Sequence, residues 1–261
     1  MDDSWSSGNA YEIFMGRWST LAAEKFLKWL DIPPACSWLD VGCGTGTLTK
    51  LILKSYYPSK VISIDSSDDF IKHAKNQILS PLVDFKVMQA QALDLNSGSI
   101  DVVVSGLVLN FVPEPLTAVS EMKRVTKPNG VVGIFLWDYS EGMQMLRYFW
   151  DAAAELTPEA HSLDEGERFI LCKKGNLESL AADAGLKQVE TMPIEVETVF
   201  RNFDDYWQPF LGNVGPAPAF VMSLNKENRQ LLENKLRKSL PTRNDGSISL
   251  NARAWAVKAK V

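Results

Sequence analysis

The stretch Trp38-Leu39-Asp40-Val41-Gly42-Cys43-Gly44-Thr45-Gly46 places three glycines at alternate positions directly after an apolar run. Glycine at such positions admits unusual backbone dihedrals and removes the Cβ that would collide with a closely approaching ligand. The dinucleotide fingerprint G-x-G-x-x-G is not met, because the third glycine comes one residue early and Thr47 stands in its slot. Asp40, just before the loop, is poorly placed beside a pyrophosphate and suits a ligand carrying an amino group or a positive charge. A second carboxylate, Asp65, follows Val61-Ile62-Ser63-Ile64 about twenty residues beyond the loop, where it can accept both hydroxyls of a ribose. Together these residues favour recognition of a cationic nucleoside and no diphosphate.

Such residues must be held at strand ends. Between about residues 36 and 138 short β-branched runs alternate with amphipathic stretches, the pattern of repeated strand-helix-strand units around a parallel sheet. The strands expected are Ser37 to Val41, Lys60 to Ile64, Asp84 to Met88, Ile100 to Ser105 and Val131 to Trp137, each with few charges, as befits strands covered on both faces. Helical spacing is set by Leu48, Leu51 and Ile52, by Phe70, Ala74 and Ile78, and by Leu116, Val119 and Met122. Right-handed crossovers put the ligand crevice at the carboxyl ends of the strands, so Gln89-Ala90 and Ser105 to Leu107 join Asp40 and Asp65 there.

Outside this core, Tyr11 to Leu30 is an apolar helical segment stopped by Pro33-Pro34 and expected to pack on the core as a lid. Helices are expected around Gly142 to Leu156, Asn176 to Ala184 and Lys226 to Leu240, with an irregular stretch through Phe169 between the first two. A strand is expected near Lys187 to Ile194 and a last edge strand at Ala252 to Lys258.

The 261 residues carry 46% hydrophobic and 23% charged residues, which excludes disorder as the main state. A formal charge of -5, from 27 basic and 32 acidic residues, argues against a non-specific attraction to nucleic acid or anionic lipid. Three cysteines without a CxxC pair provide neither a disulfide framework nor a zinc ribbon. The first ten residues are acidic and polar, and no apolar run is long enough to span a bilayer, so a cytoplasmic protein is expected.

The sequence resembles the class I S-adenosylmethionine-dependent methyltransferases, more narrowly the small-molecule group that includes the ubiquinone and menaquinone methyltransferases. LDVGCGTG matches the first motif of that family, and Asp65-Ser66-Ser67 with Phe70 matches the second. Gln89-Ala90 stands where Asp-Ala is usual, IDVVVSGLVLNFV matches the fourth motif, and EMKRVTKPNG resembles the stretch before the fifth strand. The resemblance implies a Rossmann-like, doubly wound, mostly parallel seven-stranded α/β sheet with an antiparallel edge strand and helical lid or cap elements. It implies one domain over 1-261, with a lid at 1-32, a cofactor core at 35-138, and cap and C-terminal strands at 139-261. S-adenosylmethionine would be the cofactor and S-adenosylhomocysteine the product.

Carried over position by position, the resemblance implies that Asp40, Gly42, Cys43 and Gly44 surround the methionine moiety while Asp65, with Ser66, binds the ribose. Phe70 would flank the adenine, Gln89 and the Ala90 backbone would read its edge, and Ser105 and Leu107 would complete the methionine side. Tyr11 would cover the methionine end and Arg17 pair with its carboxylate. Methyl transfer from a sulfonium is an in-line displacement that needs alignment more than a base, so no catalytic residue is assigned, Tyr139 and His161 being the candidates. Trp137, Trp150 and Trp207 could wall an apolar acceptor chamber and Arg201 orient an anionic acceptor. Adjacent Asp204-Asp205 reads as a helix start, and no metal is expected. The expected partner is a small molecule, with neither nucleic acid nor membrane, and the chain a monomer or homodimer. Two alternatives stay open: a non-catalytic protein that senses S-adenosylmethionine, and an NAD-dependent oxidoreductase.

Overall fold

The structure, a computed structural model, describes residues 15–212 and 215–261. Its elements in chain order are α1 (Arg17–Leu30), β1 (Ser37–Val41), α2 (Thr47–Ser55), β2 (Lys60–Asp65), α3 (Asp68–Gln77), β3 (Val83–Val87), β4 (Ile100–Gly106), α4 (Pro115–Val125) and β5 (Thr126–Trp137). Then come α5 (Gln144–Ala154), α6 (Glu165–Arg168), α7 (Asn176–Asp183), β6 (Lys187–Phe200), α8 (Phe203–Trp207), α9 (Pro216–Ser223), α10 (Lys226–Ser239) and β7 (Ile248–Lys260). The strands form a seven-stranded sheet in the order β3-β2-β1-β4-β5-β7-β6.

β1 pairs parallel with both β2 and β4, Trp38 standing opposite Val61 on one side and Val102 on the other. β2 with β3 and β4 with β5 are also parallel. β7 runs against β5: Asn129 N donates to the Val261 carbonyl at the start of β5, and Asp138 N to the Arg253 carbonyl just past its end. Antiparallel pairing therefore closes one edge of the sheet. The last strand, expected at that edge, instead lies second from it, with β6 outermost. The reason is its side chains: Ala252, Ala254, Ala256, Val257 and Ala259 are buried, whereas β6 alternates exposed glutamates with a buried row, as an edge strand does.

The chain divides into two compact units. The first comprises Ser19–Leu136, Lys174–Ile194 and Ala254–Val261 and holds β1 to β4 whole. Its strands are nearly continuous apolar runs, and Leu39, Val41, Val61, Ile64, Val103 and Val104 are buried, the signature of a sheet covered on both faces. α1 lays Phe26 and Leu30 against β5, where the missing side chain of Gly133 makes room for them and Phe26 meets Phe135 at 4.6 Å. This part of the expected lid is a structural layer of the core, and residues 1–14 lie outside those described. On α4 the buried face is Ala118, Val119, Met122 and Val125, while Leu116, counted from spacing as apolar-facing, is 46% exposed. It sits beside Pro115 in the first turn, one residue off the buried stripe.

The second unit comprises the described residues up to Trp18, Trp137–Lys173 and Glu195–Arg253. Its core is aromatic: Phe149 stacks on Phe210 at 4.6 Å, and Trp150 and Phe220 pack beside them. The Tyr206 hydroxyl donates to the Met145 carbonyl at 2.9 Å, satisfying a fully buried polar group. The stretch expected to be irregular contains a 3-10 turn and α6, with a second 3-10 turn just after it, and β6 runs six residues past the Ile194 limit read from the sequence, to Phe200. Asn202 caps α8 by accepting from Asp205 N, so Asp204-Asp205 does begin a helix. No helix of the described residues is long and apolar enough to cross a membrane.

Candidate functional site

Parallel pairing brings the carboxyl ends of β1, β2, β3 and β4 to one end of the sheet, and the glycine loop leaves β1 there. Gly42 N and Cys43 N both donate to the Ile64 carbonyl at 2.8 Å, which bends the chain sharply across the end of β2. Gly42, Gly44 and Gly46 all have positive φ, at 73°, 52° and 88°. Their surroundings differ. A Cβ on Gly42 would lie 2.5 Å from Val108 Cγ1 and one on Gly46 2.6 Å from Ile78 Cδ1, so both glycines let the loop pack on the protein. A Cβ on Gly44 would meet nothing within 4 Å, so this glycine faces open space. Cys43 points inward among Ile71, Ala74, Ile78 and Phe85, and burial pushes its thiol well above the usual range.

Two carboxylates flank the loop. Asp65, nine-tenths buried, accepts the Gly44 backbone N–H on Oδ2 at 3.0 Å and the Ser67 N–H on Oδ1 at 2.9 Å. Burial raises its pKa, and the bonds from Ser67, Gly44 and Ser66 oppose that rise. Asp40 is fully buried; its Oδ2 accepts the Thr49 hydroxyl at 2.7 Å, and its Oδ1 has no partner among the described residues. Burial pushes this carboxyl up to about 7, against the hydrogen bond from Thr49. Asp40 is thus buried at the end of β1, with one carboxylate oxygen held by Thr49.

The other expected contacts fall at the same end of the sheet. Ser66 and Gln89 are exposed, and Phe70 and Ala90 half-buried. Met88 N donates to the Asp65 carbonyl, tying the end of β3 to that of β2. Ser105 is buried and its hydroxyl donates to the Val41 carbonyl at 3.0 Å, so it braces β4 on β1. Leu107 has φ 61° and donates its N–H to the Phe135 carbonyl, a strained turn for a branched residue. A cavity of about 520 Å³ lies at the opposite, amino ends of the strands, lined by Ser37, Lys60, Asn96 and Arg124 among others; it touches none of these residues.

In the second unit Arg17 reaches Asp205 at 3.4 Å and lies over Trp18 and Phe200, at 4.2 and 5.0 Å from the ring centres. Arg201, at the surface, holds the same Asp205. Tyr139 is buried against Phe169, and His161 is exposed on a 3-10 turn. Trp137, Trp150 and Trp207 are all buried; the Trp150 indole donates to Glu165, and the Trp137 indole N–H has no partner among the described residues. Tyr11 lies outside the described residues.

Sequence reasoning missed Thr49, Ser63 and Glu165. The signal for the first two was present, as polar residues at positions that the apolar pattern of α2 and β2 marks as buried. Glu165, buried beside Trp150 with its carboxyl pushed up to about 7 by burial, stood in a stretch without periodicity and gave none.

The family of proteins described as the methyltransferase domain matches residues 39–134, which run from β1 through the loop, Asp65 and the β4 turn into β5. Over residues 39–134, then, this chain is similar to methyltransferase domains. The 2-methyl-6-phytyl-1,4-hydroquinone methyltransferase of Synechocystis is 33% identical over 122 residues, covering 46% of this chain and 38% of that protein. The demethylmenaquinone methyltransferase of Lactobacillus johnsonii is 31% identical over 140 residues, covering 52% of this chain and 57% of that protein. The chain thus spans between about two fifths and three fifths of these curated relatives. Among solved structures, a phosphoethanolamine N-methyltransferase of Haemonchus contortus in complex with S-adenosylmethionine shares the fold at a TM-score of 0.61 and 16% identity, covering 97% of this chain and 56% of that one. Solved structures of this fold are crystallised with S-adenosylmethionine or S-adenosylhomocysteine. The matched residues bring together a glycine facing open space, a carboxylate bonded to two backbone N–H groups, and a buried carboxylate oxygen without a partner among the described residues.

Proposed function

We propose that this chain binds S-adenosylmethionine across the carboxyl ends of β1 to β4 and moves its methyl group to a small-molecule acceptor. The observation that carries the reading is the joining of Asp65 to Gly44: the carboxylate suited to a ribose is hydrogen-bonded to the one loop glycine whose missing side chain faces open space. In this reading Asp65 takes the ribose hydroxyls on lone pairs left by its backbone bonds, with Ser66 beside it. Gly42 and Gly44 let the loop backbone approach the methionine part, and Asp40 supplies negative charge from beneath. Phe70 flanks the adenine, and Gln89, in place of the customary aspartate, accepts from its amino group while the Ala90 backbone reads the ring edge. Ser105 and Leu107 shape the methionine side through their backbone, since the Ser105 hydroxyl is committed to Val41.

The bound cofactor supplies an already activated methyl donor. The protein aligns the acceptor and excludes water, and alignment alone can lower the barrier by roughly 7–11 kcal/mol. No general base is therefore assigned. The named relatives support a quinone-type acceptor.

Calorimetric titration with S-adenosylmethionine, S-adenosylhomocysteine and NAD, followed by incubation with methyl-labelled cofactor and demethylated quinols or metabolite extract, tests this reading. Binding of the first two ligands and label in an organic-soluble product are expected. Preference for NAD would overturn the cofactor, and binding without labelled product in any mixture would leave a sensor in place of an enzyme.

A further inference from the structure

Two hydroxyls in series reach the buried carboxyl of Asp40. Thr49 Oγ1 donates to Asp40 Oδ2 at 2.7 Å, and Thr49 Oγ1 and Ser63 Oγ lie 2.7 Å apart. A threonine hydroxyl has one proton, here committed to Asp40, so Ser63 is the donor in the second bond. The chain is directed: Ser63 to Thr49 to Asp40. All three residues are 0% exposed. Thr49 is the third residue of α2, whose N-cap, Gly46, has no side chain to offer. Asp40 on β1 thus holds a side chain from the first turn of the helix that the loop leads into.

This arrangement is expensive to bury. An aliphatic pair at 49 and 63 would pack a two-sided core more cheaply, and Asp40 still leaves Oδ1 bare among the described residues. The titratable groups facing Asp40 are Asp65 at the end of β2 and Cys43 in the loop, each of which adds negative charge or none. The hydrogen bond from the Thr49 hydroxyl is what opposes protonation of this buried carboxyl.

We propose that Thr49 and Ser63 are positioning residues that act through Asp40: their directed hydroxyl chain keeps the carboxylate ionised and oriented beneath the glycine loop, and so sets the affinity of the loop for a cationic nucleoside. This rests on the cofactor site proposed above. A protonated Asp40 cannot complement positive charge, so affinity falls as pH drops through its titration. Removing the Thr49 hydroxyl moves that titration upward.

The test is the pH profile of S-adenosylmethionine binding by calorimetry across the neutral range, with the Asp40 carboxyl followed by carbon-13 NMR in the uncomplexed protein. In Thr49→Val both midpoints move up by ~1 pH unit, the loss of one hydrogen bond to a charged group. Ser63→Ala moves them less, and Thr49→Ser restores the parent profile. Affinity lowered equally at every pH, with an unmoved carboxyl midpoint, would overturn the inference and leave Thr49 a packing residue. Should Thr49→Val fail to fold, Ser63→Ala carries the test alone, and an unmoved midpoint there overturns it equally. A parent protein that binds no cofactor at any pH would overturn the proposed function, and the inference with it; binding with an unshifted profile would overturn the inference alone.

Discussion

Asp65 Oδ2 accepts the backbone N–H of Gly44 at 3.0 Å, while the other oxygen of the same carboxylate accepts Ser67 N at 2.9 Å. One side chain at the end of β2 therefore fixes the loop leaving β1 and the turn into α3 at once. An asparagine at 65 would turn a donor toward one of these two N–H groups and lose the ribose acceptor. Asp65→Asn is expected to weaken S-adenosylmethionine binding by about 10- to 100-fold, the value of one or two charged hydrogen bonds, with the fold retained. Calorimetric titration checks this, and unchanged affinity would remove Asp65 from ribose recognition.

The loop glycines separate packing from ligand access. Gly42 and Gly44 both have positive φ, so alanine at either carries a backbone cost of about 1–2 kcal/mol. Only Gly42→Ala adds a methyl driven 2.5 Å from Val108 Cγ1. Urea unfolding should show Gly42→Ala much the less stable of the two. Gly44→Ala should fold and fail to bind cofactor, because its methyl enters the open space in front of the loop. Equal destabilisation by the two substitutions would contradict this division.

Glu165 gives the second unit a pH dependence of definite sign. Burial raises its carboxyl from the ordinary 4.5 to about 7, so between those values the folded chain holds a proton that the unfolded chain releases. Stability is full below the unfolded value and is lost as pH rises through the folded one. Asp40, also raised to about 7, contributes with the same sign. Glu165→Gln keeps an acceptor for the Trp150 indole and cannot ionise. Thermal unfolding followed from acid to neutral pH should therefore decline less steeply in Glu165→Gln than in the parent. An identical slope would show that Glu165 does not titrate in this window.

Much of the first unit was legible because its elements are set by local pattern. β1 was read at its observed bounds, and β2 and β4 to within one residue, since short apolar runs ending in glycine or aspartate leave little choice of register. The second unit was harder to read. Its short helices and 3-10 turns are held by aromatic contacts between distant positions, such as Phe149 with Phe210, which leave no period in the chain.

The sequence alone determined the loop, its paired carboxylates and the α/β order, because glycine spacing, strand ends and helix caps are chemistry of neighbouring residues. Only the tertiary structure decided what faces what. It set Gly44 toward open space and Gly42 against Val108, and it turned Asp40 inward onto Thr49 and Ser63. It committed the Trp150 indole to Glu165 and Arg17 to Asp205, and it placed β7 inside the sheet with β6 at its edge. Each of these outcomes depends on which distant side chains share a low-dielectric interior, and burial and pairing there are properties of the packed chain rather than of any segment of it.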